Sequence, residues 1–386
     1  MSSQKSGDSG NLLGPIPVGR LKALLDRSEI PLQKYGDSPT VKHYTLWDRI
    51  LDIFNSARAT ERVEGGLWRL TSYDVVLGPD MLVSGNSKGL ALDTIENNDN
   101  YVWRIPVENK AQALHAVSWW RGVKLGVSQD GFYRLYLAPG NGYVGYHLEV
   151  DVEEDVDAQL LVVLDNSACG SRHSSTINLE LGSNSSLKLY TIEKSCSSLY
   201  HYKHTTLGEN SRVYSRILAS GGYMTRLRED YWLVGNKGHA SIEASTISWR
   251  NERLDLVINT IQKGSNTEGV VHTRGIVSGS SVVAHRGVAK VMRESVDASV
   301  DVESFLYLVS DTAKAYSVPV LEVDTGYVVS ARHSTAVMTM PGDEEFYLRQ
   351  RGLSREDILK LLSIGMIENV VDLENVDGEL LKRLYL

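Results

Sequence analysis

The sequence predicts a mainly β protein, a coiled β-solenoid flanked by an N-terminal helix-containing region and a C-terminal helical segment. Three observations carry that expectation. After about residue 130 the chain alternates with period two, in runs rich in Val, Ile, Tyr, Thr and Ser separated by Gly-Asn and Asn-Ser turn signals. A turn-like block recurs as VEEDVDA at 152, LGSNSSL at 181, LGENSRV at 207 and VGNKGHA at 234, in steps of 29, 26 and 27 residues. The stretch DEEFYLRQRGLSREDILKLL, residues 343–362, then reads as two short helices.

In chain order, residues 1–11 (MSSQKSGDSGN) are polar and read as a disordered start. Residues 12–130 form a mixed region. Thr45 precedes LWDRILDIFNSA, where Leu46, Ile50, Ile53 and Phe54 share a helical face. ENKAQALHAVSWW, residues 108–120, is a second amphipathic candidate, with Glu108 suited to the positive end of its dipole.

Residues 131–335 form the solenoid core. Each repeated block leads into an alternating run: Leu187 and Leu189 face away from Lys188 and Tyr190, and Ile242 and Ala244 away from Ser241 and Glu243. A step near 27 made of strands and turns alone fits one coil of a β-helix, whereas propeller blades need about 40 residues and ankyrin units need helices. Runs at 255–261, 270–277, 282–292, 296–302 and 304–309 extend the stack. An ordinary β-sandwich with coincidental spacing is the competing reading.

Such a stack exposes its core at both ends unless capped. Residues 343–386 supply the C-terminal helices. Asp343 is placed to cap the first, Gly352 to end it in a left-handed conformation, and Leu353 to make the hydrophobic contact that follows. Ser354 opens the second, with Asp357 at capping-box spacing and Ile358, Leu361 and Leu362 on one apolar face. Phe346 and Tyr347 beside Arg349 and Arg351 give the first helix a composition common at protein interfaces.

Composition narrows the function. The 386 residues are 42% hydrophobic and 23% charged, with a net charge of −8, and contain no basic tract. That is an ordinary globular composition and argues against nucleic acid as a partner. No apolar run is long enough for a signal peptide or a membrane span, so a cytoplasmic protein without membrane contact is the simplest expectation. GNSKG at 85–89 and GNKG at 235–238 lack phosphate-loop spacing, and neither G-x-S-x-G nor H-E-x-x-H occurs. ATP hydrolysis, serine hydrolase and zinc protease chemistry are therefore not expected of this chain.

Cys169 and Cys196 lie 27 residues apart, one coil step, which places them in adjacent coils with His173, His201 and His204 nearby in sequence. They read either as small buried residues or as soft ligands of a self-contained metal site. His333, in VVSARHSTAV, follows the strand PVLEV of 319–323 and precedes the terminal helices. A carbohydrate-active β-helix enzyme remains an alternative. It needs paired acidic groups on one coil face, for which Glu243 and Asp230 are the available residues.

The stretch 296–365, containing LYLVSDTAKAYSVPVLEVDTG, then SARHSTAV, then EEFYLRQRGLSREDILKLLSIG, resembles the C-terminal signature of the SufB/SufD family, scaffold subunits of Suf iron–sulfur cluster assembly. The resemblance implies a right-handed parallel β-helix and a non-enzymatic role. It also implies that the terminal helices dock the ABC-type ATPase SufC, placing Phe346, Tyr347, Arg349, Arg351 and Gly352 at that interface. A SufB-like paralogue or a second copy of the chain would pair with it through C-terminal strands. His333 matches the histidine of the S-H-G-A segment of SufD-like members, linked to iron or cluster handling. No cofactor is then permanently bound; iron or a transient cluster would pass at the subunit junction. Ser304 stands where SufB-like members carry a cysteine and Ser334 where they carry an acidic residue, which favours a SufD-like subunit. Asp324-Thr325 replaces the family's usual acidic pair.

Overall fold

The computed structural model describes residues 14–32, 44–63, 73–80, 82–85, 87–339 and 342–370. The expected disordered start at 1–11 and the last part of the C-terminal segment, 371–386, lie outside the described residues. The strands of the N-terminal region are β1 (Ile16–Pro17), β2 (Val75–Leu77), β3 (Leu82–Ser84), β4 (Leu90–Ile95), β5 (Val102–Trp103), β6 (Arg121–Val127) and β7 (Gly131–Leu137). The long coils follow as β8 (Gly142–Val152), β9 (Asp157–Asn166), β10 (Ser171–Leu181), β11 (Ser186–Ser195), β12 (Ser198–Leu207), β13 (Arg212–Ser220) and β14 (Met224–Leu233). They continue as β15 (His239–Ser248), β16 (Arg253–Gln262), β17 (Glu268–Val277), β18 (Val282–Val291), β19 (Ala298–Leu308), β20 (Lys314–Val323) and β21 (Val328–Thr339).

From β6 onward, even-numbered strands pair in parallel in one sheet and odd-numbered strands in the other, so successive strands alternate between two faces of a solenoid of about eight turns. β4 closes the start of the first sheet and β3 the start of the second, both antiparallel. The predicted runs 296–302 and 304–309 form one strand, β19.

The repeated blocks are a single recurring corner. Asp155, Asn184, Asn210, Lys237, Asn266 and Asp297 all take left-handed backbone angles, φ between 51° and 61°. Asn and Asp tolerate that region better than other side chains. At each corner the N–H donates to a carbonyl one coil on: Asp155 to Ser183, Asn184 to Glu209, Asn210 to Asn236 and Lys237 to Ser265. Gly208, Gly235 and Gly264 sit between stacked corners so tightly that a Cβ on Gly235 would lie 2.2 Å from the Glu209 nitrogen. Only glycine fits there.

Interior positions form columns along the stack. Leu125, Val150, Leu179, Thr205, Tyr231, Thr260 and Ala289 are successive neighbours on one face. The column is apolar at its start and mixed beyond. Inside the middle coils Lys203 and Glu229, each 1% exposed, form an ion pair at 2.8 Å. His285 bridges the two sheets, with its ring nitrogens at 2.8 Å from Thr246 Oγ1 and 3.0 Å from Thr273 Oγ1; burial lowers its pKa to about 3 and keeps it neutral.

Helices α2 (Trp47–Asn55) and α3 (Lys110–Ser118) lie on the outer face of the first sheet, and α1 (Val18–Asp26) packs on α3. Thr45 lies just before α2 but does not cap it. Leu46 holds that place, and Thr45 is instead buried and donates to Asp255, which Arg226 and Arg286 also grip. Burial alone would raise the Asp255 pKa, yet the charges of Arg286 and Arg226 hold it well below the ordinary carboxylate range. α3 starts with a capping box between Asn109 and Gln112, and Glu108 reaches Arg228 at 2.6 Å.

Candidate functional site

The C-terminal end of the solenoid is an open edge. β20 and β21 are the last strands of their sheets, each paired on one side only among the described strands, although Tyr44 packs on Tyr316 of β20 at 4.9 Å between ring centroids. Apolar side chains there lie in solvent: Tyr327 is 72% exposed and Val329 70%, with Val337 and Met338 also exposed. An uncovered strand edge with apolar side chains is a template for another chain.

His333 lies on this edge, exposed, with Val302 of β19 as its register partner. Its neighbours Arg332 and Ser334 point to the opposite face, beside Asp301 and Glu303, and Arg332 pairs with Asp301 at 2.6 Å. Asp301, Glu303, Leu321, Ala331, Arg332, His333 and Ser334 line one shallow open groove. Ser304 is buried beneath Thr335, its hydroxyl without a partner among the described residues, while Thr335 donates to Ser317 of the facing strand. Asp324 reaches Lys290 at 3.5 Å, so the Asp324-Thr325 departure keeps one acidic contact at the corner.

The terminal helices stand beside this edge as α4 (Gly342–Gln350) and α5 (Arg355–Val370). Asp343 falls inside α4 rather than before it. Gly352 has φ of 88°, its N–H donates to Arg349 and that of Leu353 to Leu348, the paired bonds of a Schellman turn. Ser354 and Asp357 form the reciprocal capping box at 3.1 and 2.9 Å. α5 buries Ile358, Ser363 and Met366 against the solenoid, and Ser245 donates to the Met366 carbonyl. α4 turns outward: Phe346 is 62% exposed and Tyr347 54%, Arg349 is exposed, and Arg351 lies over the Tyr347 ring at 4.9 Å.

The cysteines differ from both sequence readings. Cys169 and Cys196 do sit in adjacent coils, with Cα atoms 4.9 Å apart, but they are joined as a disulfide at the surface rather than buried or held as thiolates. A disulfide sulfur is not a thiolate ligand, so the pair offers no metal site in this state. His173 and His201 are fully buried, their pKa values lowered by desolvation, and His204 lies beside Trp232. Asp230 and Glu243, the acidic residues available to the enzyme reading, are not brought together. Asp230 is buried between Arg228, Tyr202 and Asn259 on the first sheet, whereas Glu243 pairs with Arg216 on the second.

Asp301 and Glu303 were not singled out from sequence. The available signal was D-x-E on one strand face, one coil after His272.

Fold and edge together define a parallel β-solenoid with an open, apolar terminal edge and an outward-facing helical pair. The chain belongs to the SufBD family: the family model for the SUF system FeS cluster assembly SufBD core domain matches residues 137–366. It is similar to iron–sulfur cluster assembly SufBD family proteins of Synechocystis sp. (23% identical, covering 52% of this chain and 44% of the relative) and Antithamnion sp. (22%, covering 62% and 79%). A Staphylococcus saprophyticus relative with the same description is 21% identical, covering 68% of this chain and 58% of its own length. The chain thus spans about half the length of the Synechocystis and Staphylococcus relatives. Among the described residues no helix is long and apolar enough to cross a membrane.

Proposed function

We propose that this chain is a non-catalytic, SufD-like subunit of cytoplasmic iron–sulfur cluster assembly. It pairs through β20 and β21 with a SufB-like chain or a second copy of itself, and it docks the SufC ATPase through α4 and α5. The observation that carries this reading is the open terminal edge, where exposed apolar residues and His333 lie together. Family membership supplies the process, and the absence of phosphate-loop spacing leaves ATP hydrolysis to the partner.

Iron or a nascent cluster is cargo in this scheme. An imidazole at position 333 is a competent iron ligand. Cluster ligation otherwise relies on thiolates, and the only two cysteines of this chain lie at the β9–β10 and β11–β12 corners, several coils from β20 and β21. The partner therefore supplies sulfur ligands across the junction.

The test is anaerobic co-expression of the full-length chain with a SufB-like chain and SufC, against His333→Ala and a chain lacking 343–386. The truncation should lose SufC while keeping the paralogue. His333→Ala should keep the complex and lose iron loading. Unchanged assembly in the truncation together with unchanged iron loading in His333→Ala would overturn the proposal.

A further inference from the structure

On the outer face of the second sheet, His272 of β17 is the register neighbour of Glu303 on β19, and Asp301 lies two residues earlier on the same face. One imidazole nitrogen and one oxygen of each carboxylate all lie within 4.8 Å of one another. Three donors sharing an ion at about 2.1 Å stand about 3.4 Å apart in tetrahedral geometry. Small side-chain rotations close the set.

Two features separate this trio from a solvated acidic face. His272 Nε2 is buried, lacks a hydrogen-bond partner among the described residues, and stands 4.0 Å from Glu303 Oε2, beyond hydrogen-bond reach. The ring is partly open, with its side chain 31% exposed, which leaves a path for an ion to that nitrogen. The neighbouring cations also leave the carboxylates incompletely matched. Arg332 contacts Asp301 alone, from a side chain 71% exposed, and Arg216 is engaged by Glu243 at 3.3 Å.

We propose that His272, Asp301 and Glu303 bind a divalent first-row transition metal ion. One imidazole with two carboxylates suits Fe2+, Mn2+, Co2+ or Zn2+ better than a soft ion such as Cu+. Water completes the shell on the open side. Arg332, held only by an exposed ion pair worth little, swings off Asp301 as the ion enters. The site needs neither a partner chain nor His333, so it stands apart from the assembly reading.

The test uses chelator-stripped full-length protein titrated anaerobically with Co2+, followed by visible absorption and calorimetry, and repeated with Fe2+. One ion should bind per chain. His272→Ala, Asp301→Asn and Glu303→Gln should each weaken binding by at least about 10-fold, the lower bound for losing even an outer-shell partner. Arg332→Ala should tighten it, and His333→Ala should leave it unchanged. All five positions face solvent or the outer sheet face, and a thermal melt by circular dichroism confirms folding of each variant. If a ligand variant fails to fold, Arg332→Ala still decides the matter. Equal affinity in wild type, Glu303→Gln and Arg332→Ala would overturn the assignment, as would loss of Co2+ binding in His333→Ala alone.

Discussion

Replacing Lys203 by Met should destabilise the solenoid by about 3–5 kcal/mol, the usual cost of removing one partner of a buried ion pair. The structure explains why so much is expected. Lys203 Nζ and Glu229 Oε2 are 2.8 Å apart inside the coil, both 1% exposed. Among the described residues Glu229 would keep the Tyr231 hydroxyl as its side-chain donor, and Lys203 also reaches Thr191 of the opposite sheet at 3.4 Å. The double variant Lys203→Met, Glu229→Gln removes both charges while leaving an acceptor for Tyr231. It should recover at least about 2 kcal/mol, because apolar or neutral replacements of buried pairs are often tolerated. The single Glu229→Gln variant adds a pH test. Desolvation already lowers the Lys203 pKa, and Glu229 is what raises it. Without Glu229 the folded state holds Lys203 neutral while the unfolded state still binds its proton. Stability should then rise with pH toward about 10.5, by up to about 1.4 kcal/mol per unit relative to wild type. Urea denaturation of the three variants across pH measures all of this. A Lys203→Met cost below about 1 kcal/mol, or a double variant as costly as the sum of the singles, would refute it.

Other consequences are more local. Burial raises the Glu252 pKa to about 7, although it accepts the Trp249 N–H. Its folded pKa lies above the unfolded value near 4.5, so its contribution is complete below pH 4.5 and is lost as pH rises through about 7. Glu252→Gln should match wild type at pH 4 and exceed it at pH 8 by up to about 3 kcal/mol, read from melts at both pH values. Closing a loop of 27 residues, Cys169–Cys196 should contribute up to about 3.5 kcal/mol. Paired Cys→Ser replacements should lower the denaturation midpoint, and a thiol reductant should lower wild type to match. Gly352→Val should disorder the α4–α5 junction at a cost of about 1–3 kcal/mol, because φ there is 88° although nothing lies within 4 Å of a new Cβ. Proteolysis between α4 and α5 should accelerate.

The corners were legible in the sequence because each coil needs a left-handed residue at the same place, and Asn or Asp holds it in five of the six, Lys237 being the exception. Leu187, Leu189, Ile242 and Ala244 were assigned to the correct face for the same reason: they are apolar and interior. Lys203, Glu229 and His201 were not, since period-two alternation loses its meaning once interior positions are polar. The terminal helices were readable from their own capping chemistry at Gly352, Ser354 and Asp357, which is local. The role of Thr45 was not legible, because its partner, Asp255, is 210 residues away. The 27-residue cysteine spacing revealed neighbouring coils, but bond formation depends on how two corners face each other. His333 was found by resemblance, while Asp301 and Glu303 appear beside its strand only once β19 and β21 are placed in register.

The central claim, that this chain is an assembly subunit joined at its open edge and served by an ATPase, is tested most directly by native mass spectrometry of the full-length chain co-purified with a SufB-like chain and SufC. The predicted result is a complex containing this chain, a second β-solenoid chain and SufC, from which deletion of 343–386 removes SufC alone. A chain that remains monomeric and free of SufC when both partners are abundant would contradict it.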